Sequence, residues 1–454
     1  MKDLNFYHLT DLHYYANERI GSNGKVYELK CQLDQKCMAE SGAIIDSAFE
    51  SIIDDKETEV VLISGDLTFD GEKQSHEALK DKLNYLKESG KRVFVTFATH
   101  DFHKRAQKFT DEGVTDLPKF TRKELREHYN DFGYSEAIAE HENSYSYCVQ
   151  LSDDVRLLCL NDDGDFEGFC GYYNDLLFWI KDQVEDAHKA GCQIFAMTHH
   201  PILDPAPIYP LFSHKDMLGG YEFAGPYLAD LGIKYVFDGH THIHDINSIV
   251  TKKGNKLYQI NTASLIAYPL AYRKVKFSDG GMDVKTVQVT DIKLDLGGQD
   301  VVEYAKDHFT YMIRSIFDSL ENDYDKFLIL SQGFSGDAGI LGKLKPVLQM
   351  VGKFANTLTF EKLCKLIGIK EFCEPSVADR KVIDFVCEVI LNMYSGLEIY
   401  SPETAEYKAF IAVCRKLDRF IKLKDYQRNP VDFEELIAHT LYNDGIDAWN
   451  ALIK

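Results

Sequence analysis

Through about residue 290 the chain alternates short β-branched or aromatic runs with longer helical stretches, and this alternation restricts the fold more than any other feature. Phe6–Leu9, Glu59–Ile63, Arg92–Val95, Val155–Leu160, Gln193–Met197 and Lys234–Phe237 read as buried strands. Between them, 36–54, 73–89 and 174–190 carry helical spacing, and Gly90 and Gly191 stand where helix C-termini are expected. Such alternation predicts an α/β layered fold with a largely parallel sheet. From Ile246 to Val289 strands follow one another without helices, turning at Lys253-Gly254-Asn255 and Asp279-Gly280-Gly281. This suggests a second, antiparallel sheet packed on the first.

After Leu296-Gly297-Gly298 the texture changes, and 301–320, 360–367, 377–393 and 405–423 read as amphipathic helices. The expected division is residues 1–295 and an α-helical C-terminal domain over 296–454. A chain of 454 residues is longer than one hydrophobic core usually serves, which agrees with two domains. The helical part mixes both signs of charge and reads as a solvated bundle.

A net charge of −21 sets most of the surface against a phosphate backbone or an anionic lipid face. Nucleic acid and membrane are therefore not expected partners. No window approaches the roughly 20 apolar residues that cross a bilayer. The ten cysteines are dispersed without a CxxC pair, as expected of reduced thiols in a cytoplasmic protein. A strand close behind Met1 predicts a chain that is not exported, although a mature protein trimmed of a leader would begin in the same way.

Histidines and aspartates concentrate just after the predicted strands. Asp11-Leu12-His13 follows the first and Gly65-Asp66 the second. His100-Asp101 follows the third, His199-His200-Pro201 a later one, and Gly239-His240-Thr241-His242 the last of the parallel set. Ligands of open α/β sheets bind at the carboxyl ends of strands, so the five segments can converge on one crevice. Taken singly, each is an ordinary loop element. Together they supply imidazoles and carboxylates in the combination that suits Zn, Fe or Mn. Mononuclear catalytic zinc uses about three protein ligands, so this larger set fits a metal pair bridged by a carboxylate. Such a pair suits in-line displacement at phosphorus, and hydrolysis of a phosphate ester is the expected chemistry.

These residues resemble the calcineurin-like metallophosphoesterases, whose ordered blocks are D-x-H, G-D-x-x, G-N-H-D, H-x-P and G-H-x-H. Four blocks stand intact and in order as Asp11-Leu12-His13, Gly65-Asp66-Leu67-Thr68, His199-His200-Pro201 and Gly239-His240-Thr241-His242. The run Gly65–Lys73 with Ser75-His76, together with Asn261–Leu265 and Tyr268-Pro269, is most similar to a bacterial subgroup related to cyclic-nucleotide phosphodiesterases. The resemblance covers residues 4 to 290 and implies a two-sheet α/β/β/α sandwich with two divalent or trivalent transition-metal ions. It implies Asp11, His13 and His242 as ligands of one metal, His199 and His240 of the other, and Asp66 as the bridge. It further implies a metal-bridging hydroxide as nucleophile and His100 as the general acid toward the leaving oxygen, oriented by Asp101. The implied substrate is a small phosphomonoester or phosphodiester, with cyclic nucleotides the first class to consider.

The remaining block departs from the pattern, reading Ala98-Thr99-His100-Asp101. Thr99 occupies the place of an amide ligand to the second metal and offers a shorter hydroxyl. Ala98 replaces a glycine and would be strained if that turn needs φ > 0. These departures motivate an alternative, a weakened relative acting as a metal- or phospho-ligand-binding scaffold. A nuclease is disfavoured, since no basic stripe accompanies the motifs. His200 matches no ligand position and reads as a pocket or packing residue, while Tyr14, Tyr15, His103 and His244 read as solvated loop. Tyr268 and Arg273 fit either phosphate contact or ordinary strand positions.

Overall fold

The computed structural model describes residues 3–164, 170–212, 214–324, 326–327, 345, 349, 352–369, 372–397, 399–418, 423–442 and 445–454. In chain order the strands are β1 (Leu4–Leu9), β2 (Val60–Ser64), β3 (Arg92–Thr96), β4 (Gln107–Thr110), β5 (Gly113–Asp116), β6 (Ala137–Glu140), β7 (Tyr147–Ser152) and β8 (Val155–Cys159). There follow β9 (Gln193–Met197), β10 (Tyr235–Asp238), β11 (Asp245–Val250), β12 (Lys256–Asn261), β13 (Ala271–Ser278), β14 (Gly281–Gln288), β15 (Leu423–Lys424), β16 (Pro430–Val431) and β17 (Asn450–Ile453).

One sheet has the order β17-β14-β13-β1-β2-β3 and the other β11-β12-β10-β9-β8-β7-β6. In the first, β1, β2 and β3 are parallel and β13, β14 and β17 continue antiparallel. In the second, β12, β10, β9 and β8 are parallel, with antiparallel β11 on one side and β7 and β6 on the other. The expected single parallel sheet is thus divided between two mixed sheets, and the strands after Ile246 join both rather than forming their own. The physical reason is that a strand buried on both faces has the same apolar pattern whichever sheet it joins. All five residues of β2 are buried, and hydropathy cannot tell its neighbours apart.

The two sheets meet face to face. Phe6 of β1 stacks on Phe195 of β9 at 5.3 Å between ring centroids and meets Phe237 of β10 edge-on at 5.3 Å. Helices cover the outer faces. Helix Ser41–Asp54 buries Ile44, Ile45, Ala48, Phe49 and Ile52, and Lys73–Glu88 buries Ala78, Leu79, Leu83 and Leu86. On the other side Asn174–Lys189 and Tyr221–Leu231 pack Ile180, Val184 and Leu228 against Leu158, Ala196 and Val236. Each such large side chain contributes about 1.5–3 kcal/mol on full burial. Gly90 and Gly191 have φ of 94° and 73°, left-handed positions where a residue without Cβ ends the helix at low cost.

The C-terminal region is mainly helical. Asp300 caps helix Val301–Asn322 by accepting from Val302 N at 2.8 Å and Glu303 N at 3.2 Å. Its Val301, Ala305, Phe309 and Ile313 enter the same core as β1 and β2, together with Ile383, Cys387 and Leu391 of helix Val382–Ser395. The expected helix over 377–393 begins at Val382, and the one over 405–423 is described as Ala405–Asp418. Positions 419–422 lie outside the described residues, and Leu423 belongs to β15. Strand β17 returns to pair with β14, Met282 opposite Ile453 and Val284 opposite Ala451.

Candidate metal centre

The five motif segments meet at the carboxyl ends of β1, β2 and β3 in one sheet and β9 and β10 in the other. The turns that bring them there are unusual. Asp11, His13, Asp66, His240 and His242 have φ of 52°, 38°, 49°, 64° and 58°. A non-glycine residue held in that region costs on the order of 1–3 kcal/mol, a cost that surrounding structure must offset. The gain is that the first and third residues of Asp11-Leu12-His13 both serve the site, while Leu12 between them packs into the core. Gly239 has no room for a side chain, because a Cβ there would meet Thr10 Oγ1 at 2.1 Å and Asp11 Oδ2 at 2.3 Å.

Three overlapping groups form: Asp11, His13 and His242; His13, Asp66 and His100; and Asp66, His199 and His240. In each, one ligand atom per residue lies within 4.8 Å of the others. Asp66 Oδ2 stands 3.2 Å from His199 Nε2 and 3.6 Å from His13 Nε2, between the first and last groups. His13 Nε2 and His242 Nε2 face each other at 3.2 Å, and His240 Nδ1 and His199 Nε2 at 3.3 Å. Paired ring nitrogens at a shared point are what a cation satisfies. Among the described residues, Asp11 Oδ1 is buried without a hydrogen-bond donor, a deficit of about 1–3 kcal/mol that a cation would remove. The residues present therefore fit metal ions.

Supporting contacts fix which nitrogen each ring presents. His199 Nδ1 donates to Ser64 O at 2.7 Å and His242 Nδ1 to Gln35 Oε1 at 3.0 Å, which turns both Nε2 atoms inward. Asp11 Oδ2 accepts from Thr10 Oγ1 at 2.8 Å and from His240 N at 2.9 Å. Burial pushes His13 down to about 3 and His240 well below the ordinary imidazole value, so both stay neutral and able to ligate. Burial acts on His199 in the same sense, but the carboxylates of Asp66 and Asp11 outweigh it and hold that ring above its ordinary value.

A family model for calcineurin-like phosphoesterases matches residues 4–244. The chain belongs to that family. Among solved structures, a dimetal phosphatase from Danio rerio is similar at 13% identity and TM-score 0.46, over 63% of this chain and 97% of the other. A purple acid phosphatase from yellow lupin seeds aligns at 11% identity and TM-score 0.40, over 65% and 53% of the two chains. The NAD nucleotidase of Haemophilus influenzae aligns at 10% and 0.33, over 79% and 61%. Among curated proteins none matches. The chain is accordingly a calcineurin-like metallophosphoesterase, a phosphoric ester hydrolase whose fold is two α/β sheets with helices in the C-terminal region.

In this phosphoesterase, Asp11, His13, Asp66, His199, His240 and His242 come together, and His100 stands beside them with its ring centroid 4.6 Å from that of His13. Asp11, His13, Asp66, His199 and His242 are buried and His240 is half-buried, whereas the His100 side chain keeps 21% exposure at the mouth. Asp101 does not orient it. Its carboxylate accepts from Thr68 N, Thr68 Oγ1 and Ala98 N at 3.0, 3.3 and 2.9 Å, so it holds the turn. The group beside His100 Nδ1 is Asp70, whose Oδ1 lies at 2.8 Å, with Phe69 O at 2.6 Å. The sequence contained Asp70 in the run after Gly65-Asp66, yet an acid in a polar loop carries no signal of its own.

Thr99 donates its hydroxyl to Asp163 Oδ2 at 2.8 Å. Ala98 has φ −141° and ψ −167°, extended backbone that any residue adopts, so the expected strain is absent. Tyr14, Tyr15 and His244 are buried rather than solvated: Tyr14 donates to Glu18, and His244 Nε2 lies 2.8 Å from Thr286 Oγ1. His103 is half-buried, its Nε2 2.8 Å from Gly164 O. Arg273 is also fully buried, donating to Asn261 O at 2.9 Å and to Ala448 O. It joins the last strand to the sandwich and offers nothing to phosphate. Gln35 gave no sequence signal, because an amide in a loop is common.

Proposed function

We propose that this phosphoesterase hydrolyses a small phosphomonoester or phosphodiester, with cyclic nucleotides the first class to test. The observation that carries this reading is the bridging place of Asp66 between the Asp11–His13–His242 group and the His199–His240 pair. In this reading Asp11, His13 and His242 hold one transition metal, His199 and His240 the other, and Asp66 serves both. Mn, Fe and Zn all suit this donor set. When bound, such a pair acidifies water and neutralises charge on phosphoryl oxygens.

The chain's own residues supply the rest. His100 gives the proton from Nε2 to the leaving oxygen, while Asp70 and the Phe69 carbonyl keep Nδ1 engaged. Local positive charge from bound metal draws an anionic substrate to a chain of net charge −21. In this reading residues 1–295 carry the catalytic site, and 296–454, mainly helical but including β15–β17, packs into the same core and shapes the mouth. Cysteines dispersed without a CxxC pair favour a reducing compartment, the cytoplasm. No helix of the described residues is long and apolar enough to cross a membrane.

A weakened second metal site, and with it a scaffold role, is the competing reading, favoured by the commitment of the Thr99 hydroxyl to Asp163. Turnover of a chromogenic phosphodiester with added manganese, compared between wild type and Asp66→Asn, separates the two. Metal-dependent turnover lost in the variant is expected. A folded, metal-loaded wild type without turnover across a panel of phosphoesters would favour the scaffold.

A further inference from the structure

A fourth group of ligand-type side chains lies outside the centre just described. Asp163, Cys170 and His200 place a carboxylate oxygen, a thiol sulfur and a ring nitrogen within 4.8 Å of one another. They share no residue with the three groups around Asp66. Asp163 and His200 are 3% and 2% exposed, and Cys170 is half-buried.

The backbone presets this group. Asp163 and Cys170 face each other across an antiparallel bridge, and Gly171 N donates to Asp162 O at 2.7 Å. Cys170 Sγ then lies 2.8 Å from Asp163 Oδ1. The other Asp163 oxygen accepts from Thr99, so the carboxylate is held on both sides.

His200 is oriented in the manner of a metal-ligating imidazole. Its Nδ1 donates to Asp162 Oδ1 at 2.9 Å, which directs Nε2 as the lone-pair nitrogen. The second Asp162 oxygen accepts from Thr198 Oγ1, His199 N and His200 N at 2.7, 2.9 and 2.7 Å, so Asp162 itself is saturated. With four donors on its two oxygens Asp162 is a support for His200, whereas Asp163 Oδ1 takes only the Cys170 thiol proton, which leaves when a cation binds. Asp163 also lines a cavity of about 280 Å³, together with Arg122, His141, Ser144 and Tyr173.

We propose that Asp163, Cys170 and His200 form an additional cation site, of the thiolate–imidazole–carboxylate type that takes zinc or another thiophilic divalent ion. On binding, Cys170 releases its thiol proton to solvent and all three side chains become ligands. Three protein ligands leave a coordination position for water or a substrate group. The site adjoins the phosphoesterase centre through His200, whose ring centroid is 4.0 Å from that of His240, and through the Thr99–Asp163 hydrogen bond. It goes beyond the proposed function and uses none of the same ligands.

Cobalt(II) substitution of the full chain tests this, since thiolate ligation adds a near-ultraviolet charge-transfer band that Asp/His sites lack. Wild type is expected to show the band and Cys170→Ser to lose it with about one equivalent of cobalt fewer per chain. Asp66→Asn should retain it. His200→Gln, which keeps the sulfur, should weaken the band and serves if Cys170→Ser does not fold. Absence of the band in folded wild type at saturating cobalt, or its persistence in Cys170→Ser, would overturn the proposal. So would its loss in Asp66→Asn, which would place the thiol in the metal pair. Failure of the phosphoesterase reading shows differently, as absent turnover with the band intact.

Discussion

Asp70 Oδ1 lies 2.8 Å from His100 Nδ1, and the two side chains are 20% and 21% exposed at the edge of a buried ligand cluster. A carboxylate in that place fixes the imidazole with Nε2 outward. In the proposed mechanism this contact gives Asp70 the orienting role that the resemblance implies for Asp101, which follows His100 in sequence.

His100→Ala should slow hydrolysis of a phosphoester with a poor leaving group by about 10²–10⁴-fold, and of a nitrophenyl ester far less. Asp70→Asn should move both rates in the same pattern by a smaller factor. Asp101→Asn should instead lower thermal stability, by about 1–3 kcal/mol, because its carboxylate serves Thr68 and Ala98. Steady-state rates on the two esters and melting curves separate the three variants. Equal losses on both esters in His100→Ala would remove the general-acid role.

Gln35 holds His242 from behind, and Gln35→Ala should weaken metal binding by about 10–100-fold with little loss of fold. Competition titration with a chelator reads this directly. The tail reaches the same segment: His308 Nε2 donates to Asp34 O at 2.7 Å and Tyr304 to Glu40 at 2.9 Å. Deleting residues after 298 also removes β17 and exposes the β14 edge. A truncated protein is therefore expected to be poorly soluble and to bind metal weakly. A soluble truncation with wild-type metal affinity would contradict this.

Much of the cluster was legible because Asp11, His13, Asp66, His199, His240 and His242 stand at strand ends in motifs that resemble a known family, and the structure brings them together. Two packed sheets were expected, but which strands join which was not legible, since β2 and β9 are both short, mostly apolar runs. Strand β17 is four residues long, too short for a periodic signal, and only its pairing with β14 makes it a strand. Gln35 and Asp70 escaped because they act through a contact that folding creates, not through a pattern along the chain. The Asp163–Cys170–His200 group spans separate segments with no shared spacing.

Glu72, which accepts from Asp70 N at 3.3 Å, supplies a pH test at a carboxyl outside the proposed ligand set. Burial, and then the charge of Asp70, push its carboxyl up to about 8. The folded state therefore binds a proton that the unfolded chain has released, so stability is full below the unfolded value and falls as pH rises toward about 8. The slope is at most about 1.4 kcal/mol per pH unit for one proton. Glu72→Gln should melt higher than wild type above about pH 8, with the difference vanishing in acid. Parallel melting curves for the two proteins at every pH would contradict it.

Thr99→Asn should tighten the metal held by His199 and His240 and raise activity at limiting metal, with little change at saturation. A gain on the scale of 10-fold or more is expected if an amide oxygen reaches that ion, a scale taken from supporting contacts. Metal-dependence curves for the two proteins that superimpose would show that the second site is complete without an amide.

The most direct measurement is anomalous diffraction from crystals of the full chain soaked in manganese. Two peaks about 3.5–4 Å apart are expected on either side of Asp66, one against Asp11, His13 and His242 and the other against His199 and His240. A saturated crystal with no peak in contact with Asp66 would contradict the dimetal phosphoesterase account.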